Sequence, residues 1–258
     1  MNNNIKLKKG VDLDNLREAN RRLASILMEA KEIIKPGITT KEIDDFVYKK
    51  TIEGGDKPSY LGYQPFGAPF PYPGTVCVSV NDEVVHGIPG DRVIKEGDIV
   101  GIDGGLVHKG MYADCAVTVP VGEITDEKKK LLEVTRQALF SGIKACKSGN
   151  YVSDISKAIE KSIPKKYGVV KILSGHGVGY KPHEDPYVPN FNDGTRGPKL
   201  VPGMVLALEP MVNLGTDEVY LADDGYTFIT ADRKCSAHFE HSVLITESEP
   251  EILSGKLK

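Results

Sequence analysis

Two aspartates lie eleven positions apart in Ile99–Thr118, a stretch whose residue pattern is typical of a β-hairpin. Asp103 falls on the first apolar run and Asp114 on the second. If the turn is centred between His108 and Lys109, the two carboxylates face each other, with Cβ atoms about 5 Å apart. Like charges so placed destabilise a sheet, and neither strand holds a Lys or Arg, so the pair predicts a bound cation. A solvated surface pair in another register remains the alternative.

Groups of the same chemical kind occur in three other segments. His176 lies among glycines in SGHGVG, Glu209 closes the apolar run MVLALE, and Glu240 lies in HFEHSVLIT. A carboxylate that closes an apolar run is expected to be buried, and a buried charge needs a partner or a metal ion. Together with the aspartates these groups fit two divalent cations, because four negative charges balance four positive ones. Such an oxygen-rich set suits Mn²⁺, Fe²⁺, Co²⁺ or Zn²⁺.

The remaining histidines are weaker signals, since a lone histidine is more often a structural residue than a ligand. His86 is a candidate because it ends a short apolar strand just before a glycine. We expect His108, His238 and His241 to be ordinary hydrogen-bonded or exposed residues.

Composition excludes several classes of protein. The 258 residues carry 33 basic and 36 acidic side chains, a balance that argues against a nucleic-acid or membrane surface. The start, MNNNIKLKKG, lacks the apolar core of a signal peptide, so we expect a cytoplasmic protein. The four cysteines are widely spaced without a CxxC motif, which predicts reduced thiols.

Amphipathic patterns predict four helices that position these groups. Apolar residues from Leu16 to Ile34 follow one helix face, and a capping box at Thr39 and Glu42 begins a second helix. Two more helices are predicted from Thr125 to Cys146 and from Ser153 to Ile163.

The same order of elements, two helices followed by strands, occurs twice along the chain. Lys35-Pro36-Gly37 corresponds to Lys147-Ser148-Gly149 at an offset of 112 positions, and strands follow each helix pair. This repeat predicts a single α+β catalytic domain of two pseudo-symmetric halves, about 12–122 and 123–250, that meet at a shared site.

With these residues and motifs the chain resembles a known family, the methionine aminopeptidases. The segments VCVSVNDEVVHGIPG, GHGVG, LEPMVN and SAHFEHS match the family's motifs, and the resemblance extends from about residue 16 to 247. It is similar to the type I, bacterial form, because there is no N-terminal zinc-binding extension and no long insertion between His183 and Glu209. The resemblance implies the "pita-bread" fold of the α/β class, with helices on a curved, mainly antiparallel sheet.

The resemblance also implies a role for each matching residue. Asp103 would chelate one metal ion, His176 and Glu209 would bind the other, and Asp114 and Glu240 would bridge the two. The implied reaction is hydrolytic removal of the initiator methionine from nascent proteins whose second residue is small.

Further roles are implied around the metal ions. Glu209 would be the general base, His183 would stabilise the oxyanion, and His86 would contact the scissile amide nitrogen. Cys77, Tyr72 and Tyr226 match positions that line the methionine pocket. The implied partners are polypeptide N-termini, with neither nucleic acid nor membrane, and a monomer is expected; contact with the ribosome near the exit tunnel stays open.

Several positions depart from the family pattern and affect the expected shape of the pocket. Pro182 stands where bacterial relatives usually have Phe, Leu173 replaces an aromatic residue, His238 replaces Gln, and Gly104-Gly105 replaces a bulkier pair.

Two other functions are alternatives to the implied one. The first is an Xaa-Pro aminopeptidase or prolidase, which usually carries an extra N-terminal domain. The second is a binding module of this fold that has lost catalysis; such a module lacks metal ligands, whereas this chain has all five.

Overall fold

The computed structural model describes residues 5–255 and 257. Four α-helices lie within this part of the chain: α1 (Gly10–Ile33), α2 (Thr40–Glu53), α3 (Asp126–Ala145) and α4 (Val152–Ser162). All four predicted helices are confirmed, and α1 begins six residues before Leu16. The capping box is confirmed as well, because Glu42 N donates to Thr39 Oγ1 at 3.2 Å and Thr39 N donates to Glu42 Oε2 at 2.8 Å.

The strands form one large sheet and two small ones. In chain order they are β1 (Lys57–Pro58), β2 (Val76–Val80), β3 (Glu83–Val85), β4 (Ile99–His108), β5 (Met111–Pro120), β6 (Gly168–Val169), β7 (Ser174–Gly177), β8 (Glu184–Pro189), β9 (Val205–Leu208), β10 (Met211–Asn213), β11 (Val219–Leu221), β12 (Phe228–Thr230), β13 (Ser236–His238), β14 (Glu240–Leu244) and β15 (Glu251–Ile252).

The large sheet is antiparallel and has the order β1-β4-β5-β14-β9-β7-β8, with β2 also paired to β4 and β15 to β14. The small sheets have the orders β13-β10-β6 and β11-β12-β3. The centre of the large sheet therefore joins strands from distant parts of the chain, and the predicted helices on a mainly antiparallel sheet are confirmed.

The helices cover the sheet with apolar faces. Leu16, Leu23 and Leu27 of α1 are fully buried. A Cβ atom at Gly104 would lie 3.2 Å from Leu27 Cδ2, so the glycine lets α1 approach β4 closely. Such contact removes apolar side chains from water, which stabilises the fold by about 1.5–3 kcal/mol for each large side chain.

The register of the central hairpin differs from the predicted one. Asp103 pairs with Ala116 and Asp114 pairs with Gly105, so the two aspartates are offset by two positions instead of facing each other. The turn lies at Lys109 and Gly110, which both have positive φ (46° and 82°), as the favoured two-residue hairpin turns require. Because the observed register differs from the predicted one by two residues, an even number, both carboxylates stay on the same face of the sheet.

Two other expectations can be judged from the described residues. The four cysteines Cys77, Cys115, Cys146 and Cys235 are free thiols, as predicted. Among the described helices, none has the length and apolar character needed to cross a membrane. The division into halves at about residue 122 stays a prediction.

Candidate metal centre

Five neighbouring strands of the large sheet each contribute one candidate metal ligand. Across the order β4-β5-β14-β9-β7 these ligands are Asp103, Asp114, Glu240, Glu209 and His176. Glu209 directly follows β9, and the others lie within their strands. Residues more than 130 positions apart in the sequence thus become neighbours through strand pairing.

Pairing in register brings these side chains onto one face. Ala116 of β5 pairs with Asp103 on one side and with Glu240 on the other. On the next strand, Leu208 pairs with His241, so that the neighbouring positions Glu209 and Glu240 come side by side. The small methyl group of Ala116 leaves space between the carboxylates, where a bulkier side chain would project.

The distances fit metal binding. One ligand atom from each of Asp114, His176 and Glu240 lies within 4.8 Å of the others. His176 Nε2 is 3.4 Å from Glu209 Oε1 and 3.8 Å from Asp114 Oδ2. His176 Nδ1 is 3.0 Å from the carbonyl oxygen of Gly177. Because this oxygen accepts a hydrogen bond, the proton stays on Nδ1 and the lone pair of Nε2 can bind a metal ion.

The electrostatics of the cluster call for a cation. No lysine or arginine is found among the described residues that line the cavity. Burial raises the pKa of Asp103 to about 7. Burial and the neighbouring carboxylates raise the pKa values of Asp114, Glu209 and Glu240 well above their usual range. Four carboxyl groups that resist ionisation together, with an imidazole, form a donor set suited to divalent cations.

The two predicted catalytic histidines lie at the same cavity. The rings of His176 and His183 have centroids 4.5 Å apart, and His183 Nδ1 is 3.3 Å from the hydroxyl of Tyr63. His86 follows β3 with φ of 60°, a left-handed conformation uncommon for a side-chain-bearing residue. Burial lowers the pKa of His86 to about 4, so its imidazole is neutral near pH 7.

An apolar pocket adjoins the carboxylates. Tyr72, Cys77 and Tyr226 pack in one cluster, and the two tyrosine rings meet edge to face with centroids 5.1 Å apart. The hydroxyl of Tyr72 donates to Gly87 O at 2.9 Å, and that of Tyr226 donates to Phe70 O. The whole cavity, together with its opening to solvent, has about 580 Å³ of space that no protein atom fills.

Three residues at the site were missed or misjudged in the sequence. Tyr60 and Tyr63 line the cavity, and nothing in their spacing marks them. The expectation for His238 was wrong: the residue is buried, its Nε2 has no hydrogen-bond partner among the described residues, and that atom lies 3.6 Å from Glu209 Oε2. Its replacement of Gln was the one available signal.

The other two histidines behave as expected. His108 Nδ1 lies 2.6 Å from Asp56 Oδ1, and His241 Nδ1 lies 2.8 Å from Ser254 Oγ. Two of the departures from the family pattern are not among the described residues that line the cavity. Leu173 packs with the apolar cluster around Val170, and Pro182 is not among the described lining residues.

A cluster of buried and half-buried carboxylates with an imidazole, beside a cavity with further histidines, defines a metal-dependent hydrolase site. The chain belongs to metallopeptidase family M24, whose profile matches residues 14–247. It is 46% identical over 244 residues to methionine aminopeptidase 1 of Bacillus subtilis. The match covers 94% of this chain and 96% of the relative.

Solved structures agree with this assignment. The crystal structure of a methionine aminopeptidase from Thermotoga maritima superposes with a TM-score of 0.92 at 40% identity, covering 97% of this chain and 99% of that one. A prolidase from Pyrococcus furiosus has a TM-score of 0.75 at 22% identity, and the match covers 98% of this chain and 66% of the prolidase. The prolidase likeness shows the shared pita-bread fold alone.

Proposed function

We propose that this metallopeptidase removes the N-terminal methionine from new polypeptides when the second residue is small. The observation that carries the proposal is the position of five metal-type ligands on five adjacent strands, directly beside the apolar pocket of Tyr72, Cys77 and Tyr226. The relatives named as methionine aminopeptidases support it. The α-amino group of the substrate would be held near the metal ions, which restricts cleavage to free N-termini.

The proposed centre holds two divalent cations, drawn from Mn²⁺, Fe²⁺, Co²⁺ or Zn²⁺. Asp103 would chelate one, His176 and Glu209 would bind the other, and Asp114 and Glu240 would bridge them. When bound, the cations supply a water of lowered pKa and polarise the scissile carbonyl. In the proposed halves, 12–122 and 123–250, the aspartates belong to the first and the other ligands to the second.

The chain's own residues complete the reaction. Glu209 accepts the proton of the attacking water and passes it to the leaving amine. His183, at the cavity mouth, donates a hydrogen bond to the developing oxyanion. His86 contacts the scissile amide nitrogen through a neutral imidazole.

The side-chain pocket accounts for the choice of methionine. A thioether packs well against aromatic edges, and its unbranched chain adapts to irregular walls, so Tyr72 and Tyr226 suit methionine. Crowding beside His86 restricts the second residue to Gly, Ala, Ser, Pro, Thr, Cys or Val. Because an apolar pocket discriminates by only about 1–3 kcal/mol per methylene, we expect some cleavage of N-terminal leucine or norleucine.

The substrate also sets the proposed place of action. Nascent chains carry their initiator residue in the cytoplasm, where we propose the protein acts as a monomer without nucleic acid or membrane partners. Contact with the ribosome near the exit tunnel stays open.

Peptide series test the proposal directly. With added Mn²⁺ or Co²⁺, Met-Gly-Ser and Met-Ala-Ser are expected to be cleaved and Met-Lys-Ser spared. Equal rates for Met-Gly and Met-Lys, or no preference for Met over Ala at the first position, would exclude the role. Faster cleavage of Ala-Pro-Ala than of Met-Ala-Ser would favour an Xaa-Pro peptidase, and binding without turnover would favour a non-catalytic module.

A further inference from the structure

Tyr60 reaches the candidate metal centre from outside the five strands that supply the ligands. It follows β1, which pairs with the end of β4, and Ser59 N donates to Gly105 O at 3.0 Å. This backbone contact carries the chain across the edge of the sheet and places the Tyr60 ring over Gly105, inside the cavity.

The hydroxyl of Tyr60 contacts two of the proposed ligands at once. It lies 2.9 Å from Asp103 Oδ1 and also within hydrogen-bond distance of Asp114 Oδ1. These aspartates are offset by two positions on neighbouring strands, so they do not contact each other as a directly opposed pair. The phenol therefore links their carboxylate oxygens, although its single proton can be donated to only one of them at a time.

The glycine beneath the ring is part of the same arrangement. A Cβ atom at Gly105 would lie 2.8 Å from Tyr60 Cε1 and 2.6 Å from Ser59 Cβ, closer than real carbon atoms approach. Its φ is not in the left-handed region, so the space and not the backbone conformation requires glycine here. The tyrosine ring thus occupies the volume that a larger residue after Asp103 would fill.

We propose that Tyr60 is a positioning residue that holds Asp103 and Asp114 in their metal-binding arrangement. The proposal rests on the proposed metal site at these aspartates. A carboxylate already fixed by a hydrogen bond loses less rotational freedom when it binds a cation, and outer hydrogen-bond partners of ligands typically contribute 10- to 100-fold to metal affinity.

Tyr60→Phe removes the hydroxyl and keeps the ring over Gly105. In equilibrium titrations of the metal-free protein with Mn²⁺, followed by electron paramagnetic resonance of the free ion, we expect about 10- to 100-fold weaker binding. Tyr72→Phe is the matched control, because it removes a phenol from the same cavity that donates to a backbone carbonyl instead of a carboxylate. We expect its Mn²⁺ affinity to match that of the wild type.

Gly105→Ala gives an independent test through the ring. The added methyl group would lie too close to both Ser59 and Tyr60, so it displaces the two residues together. It should therefore weaken Mn²⁺ binding in the wild type and weaken it little further in Tyr60→Phe, a coupling that a double-mutant cycle measures. Thermal melts identify any variant that has lost its fold. If Gly105→Ala does not fold, the Mn²⁺ affinity of Tyr60→Phe alone tests the proposal.

The outcomes separate the two proposals. Failure of the wild type to bind Mn²⁺ would overturn the proposed metal site itself. Wild-type binding with an unchanged affinity in Tyr60→Phe would overturn only the role of Tyr60. A phenolate-to-metal charge-transfer band in the Fe³⁺-loaded wild type that Tyr60→Phe abolishes would also overturn it, because Tyr60 would then be a ligand.

Discussion

Replacing a candidate metal ligand is expected to stabilise the metal-free protein, by an amount that grows with pH. Burial raises the pKa of Asp103 from its ordinary 3.8 to about 7 in the metal-free fold. The native state therefore binds more protons than the unfolded state between about pH 4 and pH 7. Stability from this group is present below pH 4 and is lost as the pH rises through 7. Asp103→Asn removes this dependence, since the amide does not titrate.

The size of the effect follows from the two pKa values. Between pH 5.5 and pH 8, a carboxyl group that titrates near 7 in the fold and near 3.8 when unfolded costs the folded state about 2 kcal/mol. For a chain of this length that corresponds to about 4–8 °C in melting temperature. The buried histidines titrate with the opposite sign and are common to both proteins. Removing the Asp103 carboxylate also lowers the raised pKa values of Asp114, Glu209 and Glu240, which adds to the difference in the same direction.

Calorimetry of both metal-free proteins at pH 5.5 and pH 8 measures this difference. We expect the melting temperature of Asp103→Asn to rise relative to that of the wild type as the pH increases. Excess Mn²⁺ should reverse the order, because the wild type gains more stability from binding. Asp91→Asn, at an exposed position, is the charge-matched control. A difference that is independent of pH, or that moves in favour of the wild type, would refute the reasoning.

Two further predictions concern the His183 segment. His183→Ala is expected to lower kcat by about 10² or more with unchanged metal content, because an oxyanion donor acts in the transition state; a metal ion lost from the purified variant would instead make His183 a ligand. Lys8 Nζ donates to Glu184 Oε2 at 2.7 Å, and both side chains are buried. Lys8→Met should therefore cost about 3 kcal/mol in denaturant unfolding, because it leaves the Glu184 charge with only the backbone N–H groups of Tyr180 and Lys181 as partners. Lys8→Met/Glu184→Gln should recover most of this loss, and equal stabilities of the two variants would contradict a buried ion pair.

The sequence predicted the helices well because each is decided by nearby residues. The apolar face of α1 and the capping box of α2 depend on side chains three or four positions apart, and the structure confirms both. The low exposure of Glu209, whose side chain is 14% exposed, could be predicted for a similar reason, since an apolar run directly precedes it. Side chains of this kind carry their signal in their immediate neighbours.

The register of the hairpin and the role of Tyr60 could not be predicted in this way. Both a turn after His108 and a turn at Lys109 and Gly110 keep the aspartates on one face, so the hydrophobic pattern does not distinguish the two registers. Tyr60 enters the cavity because β1 pairs with β4, a contact across about fifty positions that no local spacing encodes. The position of His238 Nε2, 3.6 Å from Glu209 Oε2, likewise depends on neighbouring strands.

The assembly of one ligand set from five strands has a consequence for the time at which a newly made molecule becomes active. Asp103 and Glu240 lie on the two sides of β5, although 137 positions separate them in the sequence. At about 5–20 residues per second, a ribosome needs roughly 7–27 s to add that length of chain. During this interval Asp103 and Asp114 have been synthesised, but β14, which carries Glu240, has not. A molecule that acts on the N-termini of other chains can therefore become active only after its own synthesis has passed Glu240.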